Sequence, residues 1–420
     1  MNPFQYRNGL LHAEQVPLDR LVETVGTPCY VYSKGGIEAN WRAYNDAFAG
    51  FPHRICYSVK ANGTLAVLDI LARLGSGFDI VSGGELYRVQ RAGGDLSKVV
   101  FSGVGKTRAE IDAALAAGIA CIDVESRGEI ERVSEAAVQL GRSAPLAVRV
   151  NPDVDPETHP YIATGLKSAK FGVAIDEALD TYRYAAGLPG IEVCGVACHI
   201  GSQLLNPAPL LEAFNRLLDL VETLRDEGFD IAHVDAGGGL GIGYGEAAAP
   251  ERAAWIGPMV EAVRRRGLEL EIFIEPGRSI VGEAGVLLTR VEYLKTSGDK
   301  RFAVVDAGMN DLLRPALYQA RHEMMTVRES TGDGEVYDVV GPVCESADVL
   351  GTGRRLSLAP GDLLAVADAG AYGSVMASNY NARPRPAEAL VDGNRFQVVR
   401  RRESYQDLVA PEVLLDQQYP

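Results

Sequence analysis

Short apolar runs recur along this chain at residues 55–59, 78–81, 99–102, 120–124, 146–150, 193–199, 232–235 and 270–274. Between them lie amphipathic helical patterns at 65–74, 85–92, 108–117, 129–140, 178–186, 210–227 and 253–266, several closing on glycine as helix C-termini prefer. Strands separated by helices run parallel, because a parallel pair needs a long crossover. Eight such units within about 240 residues predict an α/β fold built on a closed (β/α)8 barrel.

The rhythm does not fill the chain. Upstream, a strand is predicted at 28–32 and a helix at 36–49. Beyond residue 276 the helical period fades, apart from a short helix predicted at 312–325, and runs at 335–340, 362–366, 389–390 and 397–399 read as strands between Gly and Pro turns. With 420 residues, the chain exceeds what one core ordinarily supports. The expected division is a barrel over 33–275 and a β-rich, sandwich- or barrel-like domain formed by 1–32 with 276–420. Residues 151–171, punctuated by Pro and Gly, form a connection much longer than its counterparts, and such loops are commonly functional or mobile; residues 201–208 are a second candidate for mobility.

Charge narrows the function. A formal net charge of −15 and no basic stretch interleaved with aromatics argue against nucleic acid or an anionic membrane as partner. No apolar run approaches a membrane span and the first residues lack the layout of a signal peptide, so a cytoplasmic protein is expected. The six cysteines, Cys29, Cys56, Cys121, Cys194, Cys198 and Cys344, are scattered as reduced thiols are. Cys194 and Cys198, followed at once by His199, match no strong zinc spacing, and no metal is expected.

Catalytic groups of such barrels gather at the C-terminal ends of the strands. Here those ends carry Lys60 after the first run, Asp79 and Glu85 around the second, Arg149 at the fifth, His199 and Ser202 at the sixth, Gly237, Gly238 and Gly239 at the seventh, and Glu275-Pro276-Gly277-Arg278 at the eighth. A lysine at the mouth of a buried strand loses hydration, which favours a nucleophilic amine able to form a Schiff base; read alone, it is a surface lysine. The glycine run from 237 to 245 allows close approach of backbone to a phosphate, and it lacks the Gly triplet of a dinucleotide fold. His199 is either a satisfied core histidine or a flat ring stacked on a cofactor. Glu275 is either a cap or the carboxylate that keeps a ring nitrogen protonated. Amine, phosphate loop, stacking imidazole and carboxylate together are the requirements of pyridoxal 5'-phosphate.

The motifs Tyr57-Ser58-Val59-Lys60-Ala61-Asn62, Cys198-His199-Ile200-Gly201-Ser202-Gln203, Gly237-Gly238-Gly239, Glu275-Pro276-Gly277-Arg278, Gly341-Pro342-Val343-Cys344-Glu345-Ser346 and Gly370-Ala371-Tyr372-Gly373 run in this order over nearly the whole chain. In them the chain resembles the diaminopimelate decarboxylases, within the alanine-racemase-like group of fold-type III pyridoxal phosphate enzymes. The resemblance implies that Lys60 carries the cofactor, that His199 stacks on its ring, and that Glu275 pairs with the pyridine nitrogen. Ser202, the glycine run, Gly277, Arg278 and Tyr372 would surround the cofactor's phosphate end. Arg278, Arg314, Tyr318 and Tyr372 would bind substrate, with Glu345 taking the distal ammonium. Cys344 and Glu345 belong to the motif that reaches a neighbouring subunit's active site, so a homodimer is implied; read from the residues alone, Cys344 is equally a packed thiol. The proton donor to the carbanion is Cys344 or Lys60. The implied reaction is decarboxylation of meso-2,6-diaminopimelate to L-lysine and CO₂, the last step of lysine biosynthesis. Arginine forks suit a substrate with a distal carboxylate, against ornithine, arginine or a carboxylated polyamine as the rival substrates; an amino-acid racemase and a non-catalytic cofactor-binding protein are the remaining alternatives.

Overall fold

In a computed structural model, residues 3–155, 170–245, 247–330 and 332–415 are described. The long connection predicted at 151–171 falls mostly outside them. The chain divides into two compact units, one of residues 37–280 and the other of residues 1–36 with 281–420.

The first unit is the closed parallel barrel. Its eight strands are His53–Ser58, Gly77–Ile80, Val99–Phe101, Cys121–Val124, Ala144–Asn151, Ile191–Ala197, His233–Asp235 and Glu271–Ile274, each hydrogen-bonded to the next, and the eighth returns to the first through Phe273 opposite Arg54. A two-residue strand, Val173–Ala174, adds to the outside of the fifth. The helices are stopped by ordinary local chemistry. Helix Arg108–Ala117 begins with a reciprocal capping box between Thr107 and Glu110 and ends on Gly118 in the left-handed region, where a residue with a side chain would be strained.

The barrel interior is ordered in steps of two. Cys56, Val100, Cys121, Ala147, Ala197 and Phe273 pack into one apolar cluster, with Cys194 against it. Side chains repeat their direction every second residue along a strand. Two positions beyond those residues stand Ser58, Ser102, Asp123, Arg149, His199 and Glu275. The apolar cluster is therefore the floor on which a polar layer rests.

In the second unit, strand Gly285–Ser297 pairs with Lys300–Val305, with Leu363–Val366 and with the N-terminal Cys29–Ser33, all antiparallel. Cys29–Ser33 also pairs, in parallel, with Ala387–Asp392, whose hairpin partner is Arg395–Arg400. The core includes Val31, Val286, Leu288, Ala389 and Val391. The helix predicted at 312–325 shrinks to Arg314–Tyr318: Pro315 suits a first turn, but Gln319 adopts a left-handed conformation (φ 52°) and ends the helix, and Met324–Thr326 is a strand. The long strand 285–297 escaped sequence reading because its first half is buried on both faces and its second half is largely exposed, so no single period runs through it.

Candidate active site

Lys60 sits in a single helical turn, Val59–Ala61, immediately after the first barrel strand. Its Nζ lies 2.8 Å from Asp79 Oδ2 at the end of the second strand, and Ser58 Oγ lies 2.8 Å from that same oxygen. Asp79 is completely buried while a third of the lysine side chain remains exposed. Desolvation alone, invoked from the sequence, is thus an incomplete account of this amine; a buried counter-ion holds it, and it must leave that counter-ion to act as a nucleophile.

Lys60 opens onto a cavity of about 360 Å³ whose lining includes Ser102, Asp123, Arg149, Phe171, His199 and Glu275. His199 Nδ1 accepts a hydrogen bond from the Gly238 amide at 3.2 Å, which places the ring proton on Nε2. Burial, reinforced by Lys60 and Arg149, pushes the His199 pKa well below its usual value, so the ring is neutral. Arg149 donates to Glu125 Oε1 at 3.0 Å and stacks its guanidinium over the Phe171 ring at 4.9 Å.

Glu275 is buried, and its Oε1 lies 3.0 Å from Ser102 Oγ, which is also 3.1 Å from Asp123 Oδ2. One oxygen of each of Asp123, Asp235 and Glu275 falls within 4.8 Å of the others. Burial, and then Asp79 and Asp235, raise the Glu275 pKa well above the carboxylate range; Asp123 is pushed up to about 7, chiefly by burial, and Asp235 is also raised. Asp79 Oδ1 and Asp235 Oδ2 are buried and have no hydrogen-bond partner among the described residues. Uncompensated acidic oxygens of this kind create a strong local demand for positive charge.

The glycine run has a different local cause from the one read in the sequence. A Cβ on Gly237, Gly238 or Gly239 would collide with the backbone carbonyls of Cys198, Glu275 and Gly201 respectively. The Gly237 amide is engaged by Asp235 Oδ1 at 2.7 Å and that of Gly238 by His199. At all three positions glycine is required so that the seventh loop can pass between the sixth and eighth, and the amides of Gly237 and Gly238 orient acid and imidazole. Gly277 is confined in the same way: its Cβ would lie 2.9 Å from that of Ala61. Arg278, buried, donates to Tyr244 at 2.6 Å and to Ser202 Oγ at 2.9 Å, tying the sixth, seventh and eighth loops together.

The remaining residues singled out from the sequence lie in the second unit. Arg314 is buried, with Nη1 2.8 Å from His322 Nε2; because His322 Nδ1 is 2.7 Å from the Ala367 carbonyl and must donate to it, Nε2 accepts from the guanidinium. Tyr318 closes the short helix that Arg314 opens. Cys344 and Glu345 are exposed; the Cys344 amide donates to Asn381 Oδ1, and Glu345 accepts from Tyr380 at 2.6 Å. Tyr372 takes a left-handed conformation (φ 56°).

Asp123, Asp235 and Ser102 were missed from the sequence, and Asp79 was noted without a role. Their signal is a polar residue at an inward position of a parallel strand, where a continuous apolar run is the norm.

Comparison with known proteins adds independent information. Residues 34–282 match the family model described as pyridoxal-dependent decarboxylase, pyridoxal binding domain. The diaminopimelate decarboxylase of Pseudomonas aeruginosa is 57% identical over 99% of this chain and 100% of its own length. That of Vibrio cholerae is 52% identical over 99% and 100%. The crystal structure of diaminopimelate decarboxylase from Helicobacter pylori complexed with L-lysine superposes with a TM-score of 0.91 at 42% identity, covering 94% of this chain and 99% of that one.

Proposed function

We infer the activity from a single premise: the chain belongs to the diaminopimelate decarboxylase family of pyridoxal-dependent decarboxylases. It removes CO₂ from meso-2,6-diaminopimelate to give L-lysine, closing lysine biosynthesis, with pyridoxal 5'-phosphate as cofactor. The observation that carries the reading is the cavity itself, where a lysine amine, a neutral imidazole and a buried carboxyl meet on the polar layer of the barrel.

These residues fit the cofactor. The unpaired acidic oxygens of Asp79 and Asp235 and the raised Glu275 carboxyl suit a cationic ring, and the cavity volume lies in the range of small-molecule sites. Bound pyridoxal phosphate supplies an electron sink for the pair left when the bond from Cα to the carboxylate breaks. Lys60 Nζ, now 2.8 Å from Asp79 Oδ2, would be the amine that holds the cofactor. Glu275, its carboxyl fixed by Ser102, would hold a proton at the pyridine nitrogen. His199 presents a neutral ring face, its orientation set by the Gly238 amide. Ser202, Gly239, Gly277, Arg278 and Tyr372 hold the phosphate end, Gly237 and Gly238 serving through backbone packing. Arg278, Arg314, Tyr318 and Tyr372 bind the substrate, the arginines taking its carboxylates, and Glu345 takes the distal ammonium. A proton returns to Cα from Cys344 Sγ or Lys60 Nζ.

Because Cys344 and Glu345 are exposed on their own unit, we assign them to the active site of a neighbouring copy, which makes the working enzyme a homodimer of barrel and β-rich domains. Six free cysteines suit the reducing cytoplasm, and among the described residues no helix is long and apolar enough to cross a membrane.

The test is CO₂ release and L-lysine formation from meso-diaminopimelate by the cofactor-loaded protein, with ornithine, arginine and lysine in parallel. Turnover of diaminopimelate alone is expected. Preferential turnover of a simple diamino acid would overturn the substrate and the roles of Arg278 and Arg314.

A further inference from the structure

Below the catalytic layer, on the floor of the barrel, three side chains from different strands converge. Cys121 opens the fourth strand, Cys194 lies in the sixth and His233 opens the seventh; one ligand atom of each falls within 4.8 Å of the others. The two sulfurs are 3.9 Å apart. We propose that Cys121, Cys194 and His233 form a binding site for one thiophilic d¹⁰ cation, with Zn²⁺ its natural probe, separate from the cofactor cavity.

The arrangement is built. The register of the sixth strand against the fifth shifts between Val193 and Gly195, so Cys194 is the extra residue of a β-bulge. Counting back from the inward Ala197 by twos, an unbulged strand would turn Cys194 outward; the bulge turns it onto the interior cluster. The next residue must then be glycine, because a Cβ at Gly195 would run into the His233 ring. The ring is held flat, 4.2 Å from Phe273 and 12° from parallel, while Arg54 covers Phe273 at 4.4 Å and bridges to Glu271.

A disulfide does not satisfy this geometry. The fifth strand separates the fourth from the sixth, which puts the two Cα atoms about 9 Å apart at ordinary strand spacing, beyond what a disulfide spans. Two thiolates and an imidazole around a divalent ion suit tetrahedral coordination with one open position, and the two thiolates balance the ion's charge; the contact of Cys121 Sγ with Asp123 Oδ1 at 3.7 Å is the one the ion would replace. A bound ion replaces the protons of both thiols. Cys194, which is not fully buried, provides the approach. Spacing along the sequence set Cys194 beside Cys198; the fold pairs it with residues far away in the chain.

The experiment uses cofactor-loaded, chelator-treated enzyme titrated with Zn²⁺, and with Cd²⁺ to read thiolate-to-metal charge transfer in the ultraviolet. We expect one ion per chain and the charge-transfer band. Cys194→Ser and His233→Gln should weaken binding on the order of a hundredfold or more, above the loss of an outer-shell partner, and Cys344→Ser should leave it unchanged. No band in the wild type, or a band that survives Cys194→Ser but vanishes in Cys344→Ser, would overturn the site. If the variants lose the visible absorbance of bound cofactor, alkylation of the wild type decides: Zn²⁺ should protect Cys194 from iodoacetamide, and unaltered labelling overturns the proposal.

Discussion

The barrel and the β-rich unit carry their information differently. Every barrel strand pairs with its neighbours in sequence, apart from the closing pair, and in six of the eight the inward residues advance by twos from the apolar cluster to a reactive layer. In the β-rich unit, Cys29–Ser33 lies between Gly285–Ser297 and Ala387–Asp392, partners more than 250 residues away. Position within a repeated element therefore predicts chemistry in the first unit. In the second, position predicts little, and only family motifs mark Arg314, Tyr318, Cys344, Glu345 and Tyr372.

That division can be broken by substitution. The largest effect belongs to Lys60→Ala, which should lower turnover by roughly four orders of magnitude or more, the scale of losing a covalent catalytic group, and abolish the visible absorbance of bound cofactor; a variant that keeps the band would remove the barrel as the cofactor's seat. Glu275→Gln should retain cofactor and lose about a hundredfold to a thousandfold in kcat, as when one preorganised electrostatic partner is removed. Steady-state kinetics would check it, and an undiminished kcat would leave Ser102 and Asp123 without a purpose. Arg314→Ala sharpens the comparison from the other side: kcat/KM should fall by about a hundredfold, mostly through KM, with cofactor affinity unchanged. Equal loss of both would mean the two units do not divide the labour.

A smaller effect is expected on stability. The Asp123 carboxyl, carried from 3.8 to about 7 by burial, costs nothing below its unfolded value, and its penalty grows as pH rises from about 4 to about 7. In cofactor-free protein, Asp123→Asn should therefore raise the melting temperature more at about pH 8 than at about pH 5; an identical gain at both would show that the carboxyl is not protonated in the fold. Smallest is Thr107→Ala, which removes a capping box on the barrel's outer helices. It should cost about 1 kcal/mol in denaturant unfolding and leave kcat untouched.

These differences explain what could be read from the chain. All eight barrel strands and the ends that carry Lys60, His199 and Glu275 follow from period and position. Asp79 as the lysine's counter-ion does not, because the pairing crosses from one strand to the next. His322 is likewise invisible beside Arg314, since its place depends on the Ala367 carbonyl of another strand. The helix expected at 312–325 failed where Gln319 reverses the backbone.

The three tight glycines have a consequence for variation among living cells. Any side chain at Gly237, Gly238 or Gly239 must push apart carbonyls of the neighbouring loops before it meets a ligand. A side chain there is therefore expected to lower the amount of folded chain as well as to disturb the site, because an overpacked loop is a target of chaperones and proteases. Selection on such positions acts on folding and on chemistry together, since the same amides that the clash would displace orient Asp235 and His199.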